Sequence, residues 1–304
     1  MTDLLSDLKN KFSRGNIAIQ FIYINTALFI ITALIQLVLY LFNYNFNIVK
    51  YITSLPATLN LLGERPWSII TYMFMHDGLI HLFFNMLLLY WFGQFFLNFF
   101  SAKHLRGLYF LGGILGGLFF ILAYQVFPIF RNQVSGASLI GASASVLAIV
   151  IAIAYKKPNH SIRLLLVGSI KLKYLALFVV ITDLLTITSN NSGGHIAHLG
   201  GAFAGYLFAL SLSKGVDLTQ WINNVLDIPI NIKQGYKKRR QRRKDKKMKV
   251  AYKNKQTKRA QDYTYNEQKK SSEAEIDHIL DKIKESGYNN LSEEEKRKLF
   301  EAGR

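Results

Sequence analysis

The chain has 304 residues, half of them hydrophobic, and a formal net charge of +18. Its apolar residues stand in long blocks up to about residue 213, and most of its basic residues follow those blocks. A soluble nucleic-acid-binding domain would spread its charge over its surface, so the pattern argues against that class and favours a membrane protein. The chain has no cysteine, which excludes disulfides and cysteine metal sites.

The N-terminal segment, 1–17, is polar and basic, and we expect it to lie in the cytoplasm. The first apolar run, residues 21–42, is much longer than the core of a signal peptide, so it is predicted to remain as a membrane helix.

Apolar runs separated by polar breaks predict an all-α, polytopic membrane domain at residues 18–214. The six predicted spans lie near residues 21–42, 79–100, 107–127, 140–155, 174–188 and 196–212. The fourth is short and begins with small residues, so we expect it to be buried among the other helices. Basic residues follow the second, fourth and sixth spans. The positive-inside rule therefore predicts a multi-pass protein of the cell's inner (plasma) membrane with both termini in the cytoplasm.

A histidine and an asparagine share one face of the second predicted span. His81 and Asn85 are four residues apart, one turn of a helix. Polar side chains are costly in hydrocarbon unless they face partners or water. We therefore expect both to point into the bundle.

The fourth predicted span opens on small residues around Ser143, which lies in its first turn. Small neighbours let a substrate backbone approach, and a helix N-terminus offers unpaired N–H groups that favour a developing negative charge. An oxyanion formed during acyl transfer requires such donors.

The sixth predicted span combines His198 with Gly201 and Gly205 in a GxxxG spacing. Glycines at this spacing let two membrane helices touch backbone to backbone. Such a contact could bring His198 within hydrogen-bond reach of Ser143.

Together these motifs resemble the rhomboid family of intramembrane serine proteases. The match consists of His-x-x-x-Asn on the second helix, Gly-x-Ser opening the fourth, and Ala-His-x-Gly-Gly-x-x-x-Gly on the sixth, and it covers roughly residues 66–212. The resemblance implies a six-helix rhomboid-like bundle that cleaves the transmembrane segments of single-span membrane proteins. It implies no cofactor and no metal.

The resemblance also implies roles for individual residues. Ser143 would be the nucleophile and His198 its general base, acting as a dyad with no acid to orient the histidine. His81, Asn85 and the Ser143 backbone N–H would form the oxyanion hole. His76 would line the same cavity more peripherally.

The chain departs from the family pattern at two positions near the nucleophile. Ala144 replaces the glycine that often follows the serine, which is a small change. Leu147 stands where an aromatic residue often packs on the catalytic histidine. His198 must therefore be held by other contacts.

Several polar residues allow a second interpretation. Ser138 belongs to another Gly-Ala-Ser triplet and is the alternative nucleophile, whereas Ser145 is interpreted as a packing residue. His195 is expected at the mouth of the cavity. Asp183 lies inside an apolar run and is a functional candidate, although an acid that merely faces the bundle interior is the favoured interpretation. A lone buried histidine such as His198 can also be purely structural.

The C-terminal region is predicted to contain a disordered basic linker, 215–271, and a small helical hairpin, 272–304. Between Lys233 and Arg259 there are fifteen Lys or Arg and a single acid. The segment from Lys237 to Lys249 is predicted to bind anionic lipids of the inner leaflet, and no specific nucleic acid is expected. The hairpin, with Ser292 and Glu295 spaced as a capping box, resembles the C-terminal extension of some bacterial rhomboids.

Two other functions remain open from the sequence. His76, His81, His195 and His198 could converge on a metal ion, because imidazole binds zinc or iron. A rhomboid-like pseudoprotease that binds transmembrane helices without cutting them is the second alternative.

Overall fold

The computed structural model describes residues 2–44, 46–164, 168–189 and 191–302. Within those ranges the side chains of 2–5, 8–9, 164, 230–231, 233–240, 243 and 246–255 are outside the description. Most of the predicted lipid-binding segment, from Lys237 to Lys249, therefore lies outside the described side chains. The chain forms two compact units, Met1–Asp227 and Ile228–Arg304.

The first unit is built from helices, two minimal sheets and two 3-10 turns. Its helices are α1 (Thr2–Arg14), α2 (Ile17–Leu41), α3 (Ile48–Thr53), α4 (Leu59–Glu64), α5 (Ser68–Thr71), α6 (Leu79–Leu97), α7 (Ala102–Val126), α8 (Ser143–Lys156), α9 (Leu172–Leu185), α10 (Ser192–Ser213) and the start of α11 (Gln220–Ser286). The antiparallel pairs join β1 (Leu55–Pro56) to β2 (Ser138–Leu139) and β3 (Ser161–Leu164) to β4 (Gly168–Lys171), and the 3-10 turns are Tyr72–Phe74 and Pro128–Gln133.

Each of the six predicted apolar segments lies on one of these helices, which confirms the all-α polytopic class. Within the described residues, α2, α6, α7 and α10 are long and apolar enough to cross a membrane. Helices α8 and α9 have 14 residues each, fewer than the roughly 20 that a bilayer core requires. Six complete spans therefore remain a prediction.

Helix α2 presents most of its apolar side chains outward. Ile30, Leu34 and Leu41 are among its exposed residues, as expected of a helix that faces lipid. Helix α2 contacts the bundle through its N-terminal half. The ring of Phe21 stacks on that of Tyr109, and the buried amide of Asn25 donates to the Tyr109 hydroxyl at 3.2 Å.

Helix α8 lies at the centre of the bundle, and glycines of α10 pack directly on its backbone. A Cβ on Gly201 would overlap the carbonyl oxygen of Ala144, and one on Gly205 would overlap that of Ala148. Only glycine permits this approach, and α8 is the helix on which the two glycines of the GxxxG pattern pack.

Glycines of α7 also pack closely against α8. Gly112 approaches the methyl group of Ala148, and Gly116 approaches that of Ala144; added Cβ atoms would lie 2.6 Å away in both cases. Helix α8 is thus held between α7 and α10 by contacts that leave no room for larger side chains.

The chain just before α8 is extended, although the sequence analysis began this helix at residue 140. Strand β2 pairs there with β1. Gly141 then adopts φ = 129°, a backbone conformation that only glycine adopts readily. Its N–H donates to the Tyr72 carbonyl at 3.0 Å. These bonds make Ser143 the first helical residue.

The first unit extends beyond the predicted end of the membrane domain at residue 214. The start of α11 is tied to α7: Asn223 donates to the carbonyl of Lys103 at 3.0 Å, and Arg106 pairs with Asp227 at 2.7 Å. These contacts move the boundary to Asp227.

The region 215–271, predicted as a disordered linker, is helical from Gln220 onward, where α11 begins. The prediction rested on the lack of apolar residues, which excludes a packed core. A helix satisfies its own backbone without a core, and lysine, arginine, glutamine and alanine all favour it.

The second unit ends in the predicted helical hairpin, formed by the end of α11, a 3-10 turn (Tyr288–Asn290) and α12 (Glu293–Ala302). The capping box is confirmed: the Ser292 N–H donates to Glu295 at 2.8 Å, and the Glu295 N–H donates to the Ser292 hydroxyl at 3.3 Å. Lys282 of α11 also contacts Glu295 at 2.8 Å. The Lys282 ammonium and the Ser292 N–H hold the pKa of Glu295 at about 2.

The glycine contact on α8 leads to a stability prediction. Gly201→Ala should destabilise the protein by about 1–3 kcal/mol. The added methyl group would overlap the Ala144 carbonyl, which belongs to the backbone and cannot rotate away. Thermal unfolding in detergent measures the effect. The control is Gly63→Ala on α4, where an added Cβ meets nothing within 4 Å. Equal unfolding temperatures for the two variants would contradict the tight α8–α10 contact.

Candidate active site

Ser143 and His198, predicted on separate helices, are within hydrogen-bond distance. The Ser143 hydroxyl oxygen lies 2.7 Å from Nε2 of His198. Ser143 begins α8, and His198 lies three residues before the glycine that packs on Ala144. The backbone contact between α8 and α10 therefore sets this short distance.

The expectation that the base has no acidic partner is wrong. Oδ1 of Asp183, on α9, lies 2.9 Å from Nδ1 of His198 and 2.8 Å from Nδ1 of His195. Asp183 is 4% exposed. A continuous series of hydrogen bonds thus joins Ser143 to His198, Asp183 and His195.

Asn85 lies in the same cavity as the serine and the histidine. This cavity has a volume of about 160 Å³, and apart from Asn85, Ser143 and His198 its lining is apolar: Leu88, Phe92, Val146, Leu147, Val150, Leu175 and Val179. Asn85 is buried, and its amide donates to the His81 carbonyl of its own helix at 2.9 Å.

His81 approaches the serine from the side of Gly141. A Cβ added at Gly141 would lie 3.0 Å from Cε1 of the His81 ring and 3.6 Å from the Ser143 hydroxyl oxygen. The His81 ring is therefore close to the Ser143 hydroxyl, and the absence of a side chain at Gly141 makes room for the ring.

His76 does not line the cavity beside Ser143, where the sequence analysis placed it. Its ring meets that of His81 edge to face, with centroids 5.2 Å apart. It lines a different cavity, of about 250 Å³, together with Gln36, Lys50 and Asp77. Both of its ring nitrogens are buried, and neither has a hydrogen-bond partner in the part of the chain that the structure describes.

The two alternative serines lie elsewhere. Ser138 belongs to strand β2 and is exposed. Ser145 is completely buried, and an added Cβ on Gly113 would lie 2.9 Å from its hydroxyl. Ser145 thus packs against α7, as the sequence analysis proposed.

The described residues bring one set of metal-ligating atoms together: those of Asp183, His195 and His198 lie within 4.8 Å of one another. His76 and His81 are not part of this set, so the described residues do not form the predicted four-histidine metal centre. The separations of 2.8 and 2.9 Å are hydrogen-bond lengths, whereas ligands of a tetrahedral zinc ion lie about 3.3 Å apart.

Comparison with known proteins identifies the family. The rhomboid domain matches residues 63–215, which include all the site residues described above. The chain belongs to the rhomboid family. A second match, to a family of unknown function (DUF6576), covers residues 261–303 and therefore the C-terminal hairpin of this rhomboid.

Two curated relatives of this rhomboid are proteins of Arabidopsis thaliana. RHOMBOID-like protein 12, mitochondrial, is 28% identical over 183 residues, which are 57% of this chain and 54% of that protein. Inactive RHOMBOID-like protein 8 is 35% identical over 86 residues, which are 28% of this chain and 24% of that protein. The chain spans about half or less of the length of these relatives. A bacterial origin stays a prediction.

The importance of Asp183 was underestimated from the sequence. The signal was present, because an ionisable residue inside an apolar run needs a partner. Asp183 and His198 are fifteen residues apart, on different helices. Periodicity within one helix therefore could not pair them.

The half-buried His76 leads to a pH prediction. Burial and the neighbouring His81 lower the pKa of His76 from 6.5 to about 4. Between these values the unfolded chain binds more protons than the folded protein, so stability falls as the pH falls from about 6.5 to about 4. His76→Phe removes this contribution. The unfolding temperature of the variant should therefore decrease less between pH 7 and pH 4.5 than that of the wild type.

The matched control is His278→Phe, at an exposed position on α11. It should show the same decrease as the wild type. If His76→Phe also shows the wild-type decrease, His76 is not the group that titrates in this range.

Proposed function

We propose that this rhomboid is an intramembrane serine endopeptidase that cleaves transmembrane segments of single-span membrane proteins. The observation that carries the proposal is the 2.7 Å contact between the Ser143 hydroxyl and Nε2 of His198 at the start of α8. A nucleophile and a base within hydrogen-bond reach are the arrangement required for acyl transfer.

The reaction follows from these two side chains. The Ser143 oxygen attacks the scissile carbonyl carbon while its proton moves to Nε2 of His198. The tetrahedral intermediate collapses as His198 returns the proton to the leaving amine, and an acyl-enzyme remains. In the second half of the reaction, His198 takes a proton from a water molecule as the water oxygen attacks the ester carbonyl. The ester C–O bond then breaks, His198 returns the proton to the Ser143 oxygen, and the new carboxylic acid leaves.

The negative charge that develops on the carbonyl oxygen needs donors. The backbone N–H of Ser143, at the N-terminus of α8, is one candidate, and Asn85 and His81 approach from α6. Asn85 bonds to its own helix in the absence of substrate. In this proposal it turns to the oxyanion when that charge forms, and the helix N-terminus adds its own favourable field.

The surroundings of the serine suit a membrane-embedded substrate. The cavity beside Ser143 has an apolar lining and a volume of about 160 Å³, which fits a small side chain of the substrate. Helices α6 and α9 both pack on α8 but make little contact with each other. A transmembrane segment can therefore approach from the lipid between Leu88 of α6 and Leu175 of α9.

The location and the lipid partner are also proposals. We place the protein in the inner (plasma) membrane with both termini in the cytoplasm, because the basic residues Lys103, Arg106, Lys156 and Lys157 follow α6 and α8. The segment from Lys237 to Lys249 would then face anionic lipids, at roughly 1 kcal/mol for each basic residue near the surface.

A pseudoprotease is the alternative function, and one relative of this rhomboid is named inactive. Such a protein would bind transmembrane helices in the same cavity without cutting them. The short contact between Ser143 and His198 favours the protease, because helix binding alone does not require it.

A cleavage assay distinguishes the protease from the pseudoprotease. Purified protein should cleave a model transmembrane substrate, and Ser143→Ala and His198→Ala should each reduce cleavage to background, because nucleophile and base act as one unit. A fluorophosphonate probe should label the wild type but not Ser143→Ala, and chelators should have no effect.

Ser138→Ala is the control and should keep full activity. Loss of cleavage in Ser138→Ala with retention in Ser143→Ala would reassign the nucleophile. A folded wild-type protein that neither cleaves substrates nor reacts with the probe would favour the pseudoprotease.

A second prediction concerns the oxyanion donors. Asn85→Ala and His81→Ala should each lower turnover by roughly ten- to a hundredfold, or about 1–3 kcal/mol, with little change in KM. The double variant should lose more than either single variant, because both donors address one charge. Steady-state cleavage assays measure the effects.

Asn98→Ala, at the other end of α6, is the control. If both single variants kept full turnover while Ser143→Ala was inactive, the pair would have a packing role only.

A further inference from the structure

We propose that Asp183 is a positioning residue for His198, so that the base of this rhomboid belongs to a Ser-His-Asp array, and that His195 holds Asp183 in place. This inference rests on the proposed protease function and adds two residues to it. The juxtaposition that carries it is Oδ1 of Asp183 between the Nδ1 atoms of His198 and His195, at 2.9 and 2.8 Å.

The hydrogen bonds fix the tautomer of His198. An ionised carboxylate only accepts hydrogen bonds, so Nδ1 of His198 must carry a proton and donate it to Asp183. Nε2 is then free to accept from the Ser143 hydroxyl. The other neutral tautomer would place a proton on Nε2 and prevent His198 from acting as a base.

The carboxylate also acts during the reaction. When His198 accepts the serine proton it becomes a cation, 2.9 Å from Asp183. Asp183 is 4% exposed, so water screens this attraction little and the interaction is stronger than in solution. Asp183 therefore stabilises the charged base that forms in the transition state.

The sequence near the serine shows why such support is needed. Leu147, and not an aromatic ring, stands one turn after Ser143. The side chain of His198 is 25% exposed and lines the substrate cavity. A ring in this position can turn unless a second bond holds it. The bond from Nδ1 to Asp183 supplies that restraint from another helix.

His195 is held by its own hydrogen bonds. The Thr186 hydroxyl donates to the Thr182 carbonyl at 2.6 Å, so its oxygen can accept from Nδ1 of His195, 3.2 Å away. Nδ1 of His195 is therefore the protonated nitrogen, and it donates to both Thr186 and Asp183. Both histidines thus donate a hydrogen bond from Nδ1 to Asp183.

Asp183 depends on both donors. Its second oxygen, Oδ2, is buried and has no hydrogen-bond partner among the described residues. A buried carboxylate is costly unless it is well satisfied, and the described donors to Asp183 are the two histidines. Removing His195 leaves one donor and allows the carboxylate to shift away from His198.

A purely structural role makes a different prediction. Asp183 links α9 to α10, so a structural aspartate would affect folding and leave the turnover of the folded protein unchanged. A positioning residue lowers kcat in a folded protein and leaves KM nearly unchanged.

The experiment uses the purified full chain in detergent or liposomes, with a model transmembrane substrate. It measures kcat, KM, the rate at which a fluorophosphonate labels Ser143, and the unfolding temperature. The central variant is Asp183→Asn, which keeps the size of the side chain but loses its negative charge and offers N–H donors. Its control is Asp227→Asn, the same change at the cytoplasmic ion pair with Arg106.

We expect Asp183→Asn to lower kcat by about a hundred- to ten-thousandfold, as removal of the acid from a Ser-His-Asp triad does. KM should change little, probe labelling should slow in parallel with kcat, and the protein should remain folded. Asp227→Asn should keep wild-type turnover.

His195 provides a second test with a built-in rescue. His195→Leu removes the donor and should lower kcat by between a few-fold and about a hundredfold, the range for a slight misplacement of a catalytic group. His195→Asn places an amide N–H near the position of Nδ1 and should restore most of the lost turnover.

Three outcomes overturn the proposal. The first is a folded Asp183→Asn variant with turnover near that of the wild type. The second is a loss of turnover that only follows the fraction of folded protein. The third concerns the case in which Asp183→Asn does not fold. Equal turnover in His195→Leu, His195→Asn and the wild type would then overturn the proposal. If the folded wild-type protein neither cleaved the substrate nor reacted with the probe, the protease function itself would fail, and the two failures are therefore distinguishable.

Discussion

The contact between the backbones of α8 and α10 determines the geometry of the whole site. Gly201 and Gly205 place α10 directly on the carbonyl oxygens of Ala144 and Ala148. In lipid, apolar surfaces gain little from meeting each other, so close van der Waals contact must hold helices together. An added methyl group would push the helices apart. The hydrogen bond between the helices, at the first turn of α8, could not survive that displacement.

The polar groups near the serine are connected across helices, and this connection reduces the cost of placing them in an apolar environment. Ser143 comes from α8, the two histidines from α10 and Asp183 from α9. Each member donates to or accepts from the next. Because the wall of the adjacent cavity is mostly apolar, the same bonds are stronger than they would be in water. In our proposal, a site built in this way holds His198 by hydrogen bonds to a carboxylate and not by packing against an aromatic ring.

The helices of the second unit are stabilised by different interactions. Its helices form from local signals: residues of high helix propensity along α11, and a capping box with an ion pair at the hairpin. None of these requires the membrane or a large core. The family match at residues 261–303, separate from that of the rhomboid domain, agrees with a second unit that is compact by itself.

The sequence alone determined the membrane class, the positions of the apolar helices and the residue types of the site, because these depend on composition and on spacing within one helix. His81 with Asn85, and Gly201 with Gly205, could be recognised for that reason. The capping box of the hairpin was predictable for the same reason, since Ser292 and Glu295 interact over a single turn.

The tertiary structure decided what depends on contacts between distant segments. Strand pairing between β1 and β2 set the first residue of α8, which apolar periodicity placed three residues too early. The helical state of the basic region was missed because a helix needs neither a core nor apolar residues. The partner of His198 was missed because Asp183 lies on another helix, and no spacing in the sequence specifies which face of α9 meets α10. Only the packing of these helices brings Asp183 to His198.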